Sequence, residues 1–129
     1  FDIMDKGGVD IIVAGHEHFY ERFAPQDFEG KADSKGVRLF IVGTGGAVHH
    51  SAGARAPNSE AVLQETLGVL KLELGNGFFN AQFIDINYAR RDEVSGACQN
   101  PAGNIPNIPN DYNAGGRRRF GFRFTPPGF

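Results

Sequence analysis

Two histidines set two residues apart, in Gly15-His16-Glu17-His18, are the part of this sequence best equipped for chemistry. They follow directly on the apolar run Val9-Asp10-Ile11-Ile12-Val13-Ala14, which reads as a strand. In extended backbone, side chains at i and i+2 leave on the same side, so both imidazoles are expected to face one spot beyond the strand's carboxyl end. Ligands of open α/β sheets gather at that end. Neutral imidazole is a common ligand for zinc, iron and other transition metals. Two ligands do not complete a metal's shell, so most of the site has to come from other residues.

The groups nearest in sequence are candidates for supporting roles. A metal-bound imidazole needs an acceptor on its second nitrogen, and Glu17, Glu21 or a loop carbonyl could supply one. Glu21 and Arg22 stand behind the ligands or form an ion pair that ties the loop down. Tyr20 is a packing residue with a satisfied hydroxyl, or a neighbour of the site. Gly43-Thr44-Gly45-Gly46 could let backbone amides approach a phosphate, or simply form a tight turn. His49-His50 offers a third ligand or a proton donor, although adjacent histidines usually face apart.

The elements that must position these groups are legible in outline. Phe1 and Met4 share a helical face and Gly7-Gly8 supplies a stop, so residues 1–6 read as the last turns of a helix already under way, and the chain as a fragment. The apolar run 9–14 predicts a strand buried on both faces, as in a parallel sheet. Pro25 opens a long polar loop, and Val37-Arg38-Leu39-Phe40-Ile41-Val42 predicts a second strand that runs into the glycine turn. Residues 47–65 read as a surface excursion. Leu67–Leu74 and Phe78–Ile86 flank Gly75-Asn76-Gly77, a hairpin signal. Leu70, Leu72 and Leu74 on one strand, and Phe79, Ala81 and Phe83 on the other, define its buried face. A helix-connected parallel start joined to antiparallel edge material predicts a mixed α/β sheet, not a barrel or a bundle.

Composition narrows the class. A 129-residue chain with 40% hydrophobic and 22% charged residues can bury one core. The formal net charge is -2, but from Gly96 onward four arginines face one Asp, a local +3 that leaves the remainder too weakly charged to imply a polyanion-binding fold. Cys98 is alone, so no internal disulfide forms. No apolar run approaches the roughly 20 residues of a membrane span. From Gln99 to Gly116 the chain is rich in Asn, Pro and Gly, and residues 97–129 are expected to be a disordered tail. Within it, Arg117–Phe124 mixes guanidinium groups with aromatic rings, as binders of single-stranded nucleic acid do. A non-catalytic fragment whose basic tail binds an anionic partner is the alternative that this stretch supports, though a solvated tail explains it more cheaply.

The string Gly15-His16-Glu17-His18-Phe19-Tyr20-Glu21-Arg22-Phe23-Ala24-Pro25 resembles the last signature block of the calcineurin-like metallophosphoesterases, in the branch of purple acid phosphatases and bacterial secreted phosphatases. The likeness continues through Gly36–Gly46, Ala56–Glu60 and Gly68–Leu72 and fades near Cys98. It implies the C-terminal part of a four-layer α/β/β/α sandwich, residues 1–96, with two metal ions (iron, zinc or manganese) at the ends of its central strands. It also implies hydrolysis of phosphate esters and a secreted or periplasmic setting. His16 would bind one metal and His18 the other. The family's remaining ligands lie upstream in Asp-x-His, Gly-Asp and Gly-Asn-His blocks, and this chain contains none of these strings. The missing N-terminal half is therefore an expected partner, and the isolated chain is expected to be inactive.

Overall fold

The computed structural model describes Met4 and residues 7–99. Seven strands account for its regular structure: β1 Ile11–Ala14, β2 Tyr20–Phe23, β3 Arg38–Val42, β4 Ser59–Leu63, β5 Gly68–Gly75, β6 Phe78–Asp85 and β7 Arg90–Ala97. They form two sheets, a mixed one in the order β1-β3-β2-β4 and an antiparallel one in the order β5-β6-β7. Among the described residues only Met4 is helical, so the fold shown is mostly β. The expected mixed sheet is present as β1-β3-β2-β4, and the hairpin strands stand apart from it in the second, purely antiparallel sheet.

The sheets are held face to face by a small aromatic core. Tyr20 and Phe40 from the first sheet meet Phe79, Ala81 and Phe83 from the second, with Ile11, Val42, Ala61, Leu63, Leu70 and Val94 packed around them. The Tyr20 ring stacks on Phe83 with centroids 4.3 Å apart. Strand periodicity explains the selection, since alternate residues of β6 share one face. Phe79, Ala81, Phe83 and Asp85 are accordingly buried, while Phe78 is exposed and Asn80, Gln82 and Ile84 are half-buried.

Several sequence expectations change in detail. β1 pairs in parallel with β3, as its composition suggests, but it is an edge strand among the described residues, and Val13 is 51% exposed. An edge position with no described helix over it leaves the apolar run partly open. Within the expected excursion 47–65, Ser59–Leu63 forms a strand on β2 because Ala61 and Leu63 have inward-facing partners in Arg22 and Tyr20. The hairpin forms as expected, but its first strand extends through Gly75, which pairs with Phe78, so the turn is Asn76-Gly77 alone. Of its turn only Gly77 takes a positive φ, 79°, so Asn76 is not in the doubly left-handed turn that Asn-Gly favours. Leu72 and Leu74 are expected to be buried, yet they are 36% and 68% exposed, because among the described residues no strand covers that margin of the second sheet.

The described structure continues past residue 96. Ala97 belongs to β7, and the Gln99 amide donates to Asp10 Oδ1 at 2.8 Å, which fastens the end of β7 to the start of β1. Arg117–Phe124 and the rest of 100–129 lie outside the described residues, as does the expected helix over 1–6 apart from Met4.

Candidate metal centre

Topology brings three strand ends to one place. β1 and β3 run parallel, so the loops that leave Ala14 and Val42 emerge side by side. β4 is antiparallel to β2 with Leu63 opposite Tyr20, so its carboxyl end arrives there too. The histidine loop 15–19 and the glycine turn 43–46 are therefore neighbours.

They meet backbone to backbone. A Cβ on Gly43 would lie 1.9 Å from the Glu17 carbonyl oxygen and 3.2 Å from His18 Cα, so only glycine allows this approach. The Gly43 amide donates to the Phe19 carbonyl at 3.2 Å. Thr44 is buried, and its hydroxyl donates to the Gly68 carbonyl at 2.8 Å, which anchors the turn to β5. Gly45 and Gly46 are exposed, with open space where a side chain would stand. Gly43 and Thr44 are thus structural, while Gly45 and Gly46 border open space.

The histidine loop is not extended. Strand β1 stops at Ala14, His16 adopts a left-handed φ of 81°, and the Phe19 amide donates to the Glu17 carbonyl at 2.9 Å. The i, i+2 geometry of a strand does not apply here, because the chain must reverse between Ala14 and Tyr20 to enter antiparallel β2. His16 is exposed and His18 half-buried.

The His18 ring has two defined contacts. Its Nδ1 lies 2.5 Å from the Val48 carbonyl oxygen. A carbonyl can only accept, so Nδ1 carries a proton, and in the neutral form of the ring the lone pair lies on Nε2. For His18, the acceptor is therefore a loop carbonyl and not Glu17 or Glu21. The ring also stacks on His50 with centroids 4.0 Å apart and planes 18° from parallel. His50 Nδ1 faces the His18 amide at 3.5 Å and Glu17 Oε2 at 3.5 Å. These two contacts exclude each other, since the first needs a bare nitrogen and the second a protonated one.

The other candidates part company. Successive residues of a strand point to opposite faces. Tyr20 and Arg22 consequently enter the space between the sheets. The Tyr20 hydroxyl donates to Asp92 Oδ2 at 2.7 Å, and Arg22 Nε donates to the same oxygen at 2.7 Å. Arg22 also pairs with Glu60. Burial, reinforced by Asp92, pushes the Tyr20 hydroxyl pKa upward. Burial opposes the charge of Asp92, but the hydrogen bonds from Arg22 and Tyr20 prevail and hold its carboxyl below the usual range. Glu21 faces the other way, 6% exposed, in a cleft of about 370 Å³ lined also by Ala52, Arg55 and Gln64. The expected Glu21–Arg22 ion pair is thus replaced by Arg22–Asp92 and Arg22–Glu60, and neither Tyr20 nor Arg22 supports the histidine loop.

Among the described residues no group of three or more His, Cys, Asp and Glu side chains is placed to hold one metal ion. The donor chemistry of His18 nevertheless fits a ligand, with one nitrogen tethered and the other available. His50 is a candidate on sequence grounds, but nothing local links it or the Val48 carbonyl to His18, from which they lie 32 and 30 residues away. No helix of the described residues is long and apolar enough to cross a membrane. Against this geometry, no protein-family profile, curated protein or solved structure matches the chain.

Proposed function

We propose that this chain is the C-terminal part of a binuclear phosphoesterase related to the calcineurin-like enzymes, with His16 and His18 each giving one nitrogen to a metal pair. The observation that carries the reading is the tether from His18 Nδ1 to the Val48 carbonyl, at the shared carboxyl end of β1 and β3. A histidine fixed through Nδ1 presents Nε2 with little rotational freedom, as metal-bound imidazoles do. The string from Gly15 to Pro25 supports the same conclusion on sequence grounds.

In this reading the remaining ligands and the outer helical layers of an α/β/β/α sandwich come from polypeptide outside the described residues. Two ions of iron, zinc or manganese in such a centre supply Lewis acidity toward water and the phosphoryl oxygens. The residues of this chain have narrower tasks. Val48 and the stacked His50 ring orient His18. Gly43 brings the glycine turn against the histidine loop, and Thr44 holds that turn to β5. The exposed Gly45 and Gly46 leave room for a substrate phosphate beside the histidines. A secreted or periplasmic setting belongs to the same proposal.

The test joins this chain to the segment carrying the other ligands and measures metal-dependent hydrolysis of an aryl phosphate. His16→Ala and His18→Ala are each expected to lower the rate about 100-fold or more, since a lost ligand costs at least as much as a lost orienting partner. Variants that match the parent rate would remove both histidines from the centre.

A further inference from the structure

We propose that the free edge of β5 is a dimerisation surface, on which a second copy of this chain adds its own β5 antiparallel about a two-fold axis at Leu72. The argument starts from the phase of the backbone hydrogen bonds. The Ile86 amide donates to the Leu67 carbonyl at 3.1 Å, so Leu67 points its backbone at the β6 side. In an antiparallel ladder that orientation alternates. Val69, Lys71, Glu73 and Gly75 therefore face β6, and Gly68, Leu70, Leu72 and Leu74 face away. Gly68 bears this out, because its amide donates to the Thr44 carbonyl at 3.2 Å and its own carbonyl accepts from the Thr44 hydroxyl at 2.8 Å. Among the described residues β5 is the outermost strand of its sheet. Leu70, Leu72 and Leu74 thus direct their amides and carbonyls to a side that holds no strand among the described residues.

The positions of these three residues determine a register. Pairing β5 with its copy so that Leu72 meets Leu72 and Leu70 meets Leu74 uses every outward amide and carbonyl, six hydrogen bonds in all by the antiparallel rule. Thr44 occupies the next outward position, Gly68, so the new ladder ends where the symmetric register ends. Lys71 then stands opposite Glu73 of the copy, and Glu73 opposite its Lys71, in the wide-spaced pairs where side chains approach closest. Moving the axis by one residue puts Lys71 against Lys71 or Glu73 against Glu73, and like charges directly opposite are destabilising. On the other face Leu72 and Leu74, 36% and 68% exposed, join the same leucines of the copy into one apolar stripe. Charge and hydrogen-bond phase select the same partner and register. An isologous pairing also closes an edge that would otherwise invite open-ended association. None of this depends on the phosphoesterase reading.

Sedimentation velocity on the 129-residue chain across a concentration series tests the proposal, with a concentration-dependent dimer as the expected result. Lys71→Glu is expected to weaken the dimer about tenfold, because both cross-strand pairs become repulsive. The exchanged double variant Lys71→Glu with Glu73→Lys is expected to restore it. Leu72→Pro removes an amide that points away from β6, so it is expected to abolish the dimer while leaving the hairpin's circular dichroism unchanged. A monomer at every concentration would overturn the proposal. So would protection of the Leu72 and Leu74 amides from exchange in a monomer, which would mean that another strand of the same polypeptide covers the edge. A dimer indifferent to Lys71→Glu, or one that the exchanged variant leaves weak, refutes the register.

Discussion

Removing the Asp92 carboxylate should loosen the joint between the two sheets. Asp92 sits on β7 in the second sheet, and its oxygens accept from Tyr20 and Arg22 of β2 in the first. The Arg22 and Asp92 side chains are only 12% and 13% exposed, so this is a nearly buried charge pair rather than a surface one. Breaking such a pair by deleting one partner costs about 3–5 kcal/mol. Arg22 keeps Glu60 as a counter-charge, which places Asp92→Ala near the lower end, about 3 kcal/mol. With a urea dependence of about 1.5 kcal/mol per molar for a domain of this size, the unfolding midpoint should fall by about 2 M. The assay is urea unfolding followed by far-ultraviolet circular dichroism. Asp92→Asn keeps an acceptor oxygen and should lose about half as much.

The pH dependence supplies an independent check. The Asp92 pKa is lowered in the folded state, so its contribution is complete above the unfolded value of about 3.9 and is lost as pH falls through the lower folded value. The stability gap between the parent and Asp92→Asn should therefore be constant near neutrality and close in acid below about pH 4. A midpoint shift under about 0.5 M for Asp92→Ala, or a gap that persists in acid, would refute the reasoning.

Gly43→Ala is expected to destabilise the chain by about 2–4 kcal/mol, because its Cβ would collide with the Glu17 carbonyl; the same variant should shift the His18 ring resonances in a nuclear magnetic resonance spectrum, and unchanged resonances would disprove the backbone contact. Phe83→Ala removes a ring with no exposed surface that stacks on Tyr20, and should cost about 3–5 kcal/mol in the same urea assay. The losses in His16→Ala and His18→Ala, and the charge-exchange test at β5, complete the set.

How much of this could be read along the chain differs from element to element. The hairpin from β5 to β6 is legible because its determinants are local: the Gly75-Asn76-Gly77 turn signal and a two-residue alternation on either side mark both strands. The burial of Phe79, Ala81 and Phe83 follows from the same alternation. β2 and β4 are not legible in this way, since each owes its strand conformation to its neighbours in the first sheet. The partners of Arg22 were equally hidden, with Asp92 70 residues away.

By itself the sequence determined which residue types could do chemistry and where strands could begin and end. It placed His16 and His18 just after an apolar strand and glycines just after another, and those local facts survive in the fold. Tertiary structure alone decided that the two loops share one sheet end, that His18 is held by the Val48 carbonyl and stacked on His50, and that Tyr20 and Arg22 turn inward to Asp92. The physical reason is range. Backbone periodicity acts over a few residues and fixes faces and turns, whereas the direction of a ring nitrogen or a carboxylate depends on whichever distant strand the packing of the core brings alongside it.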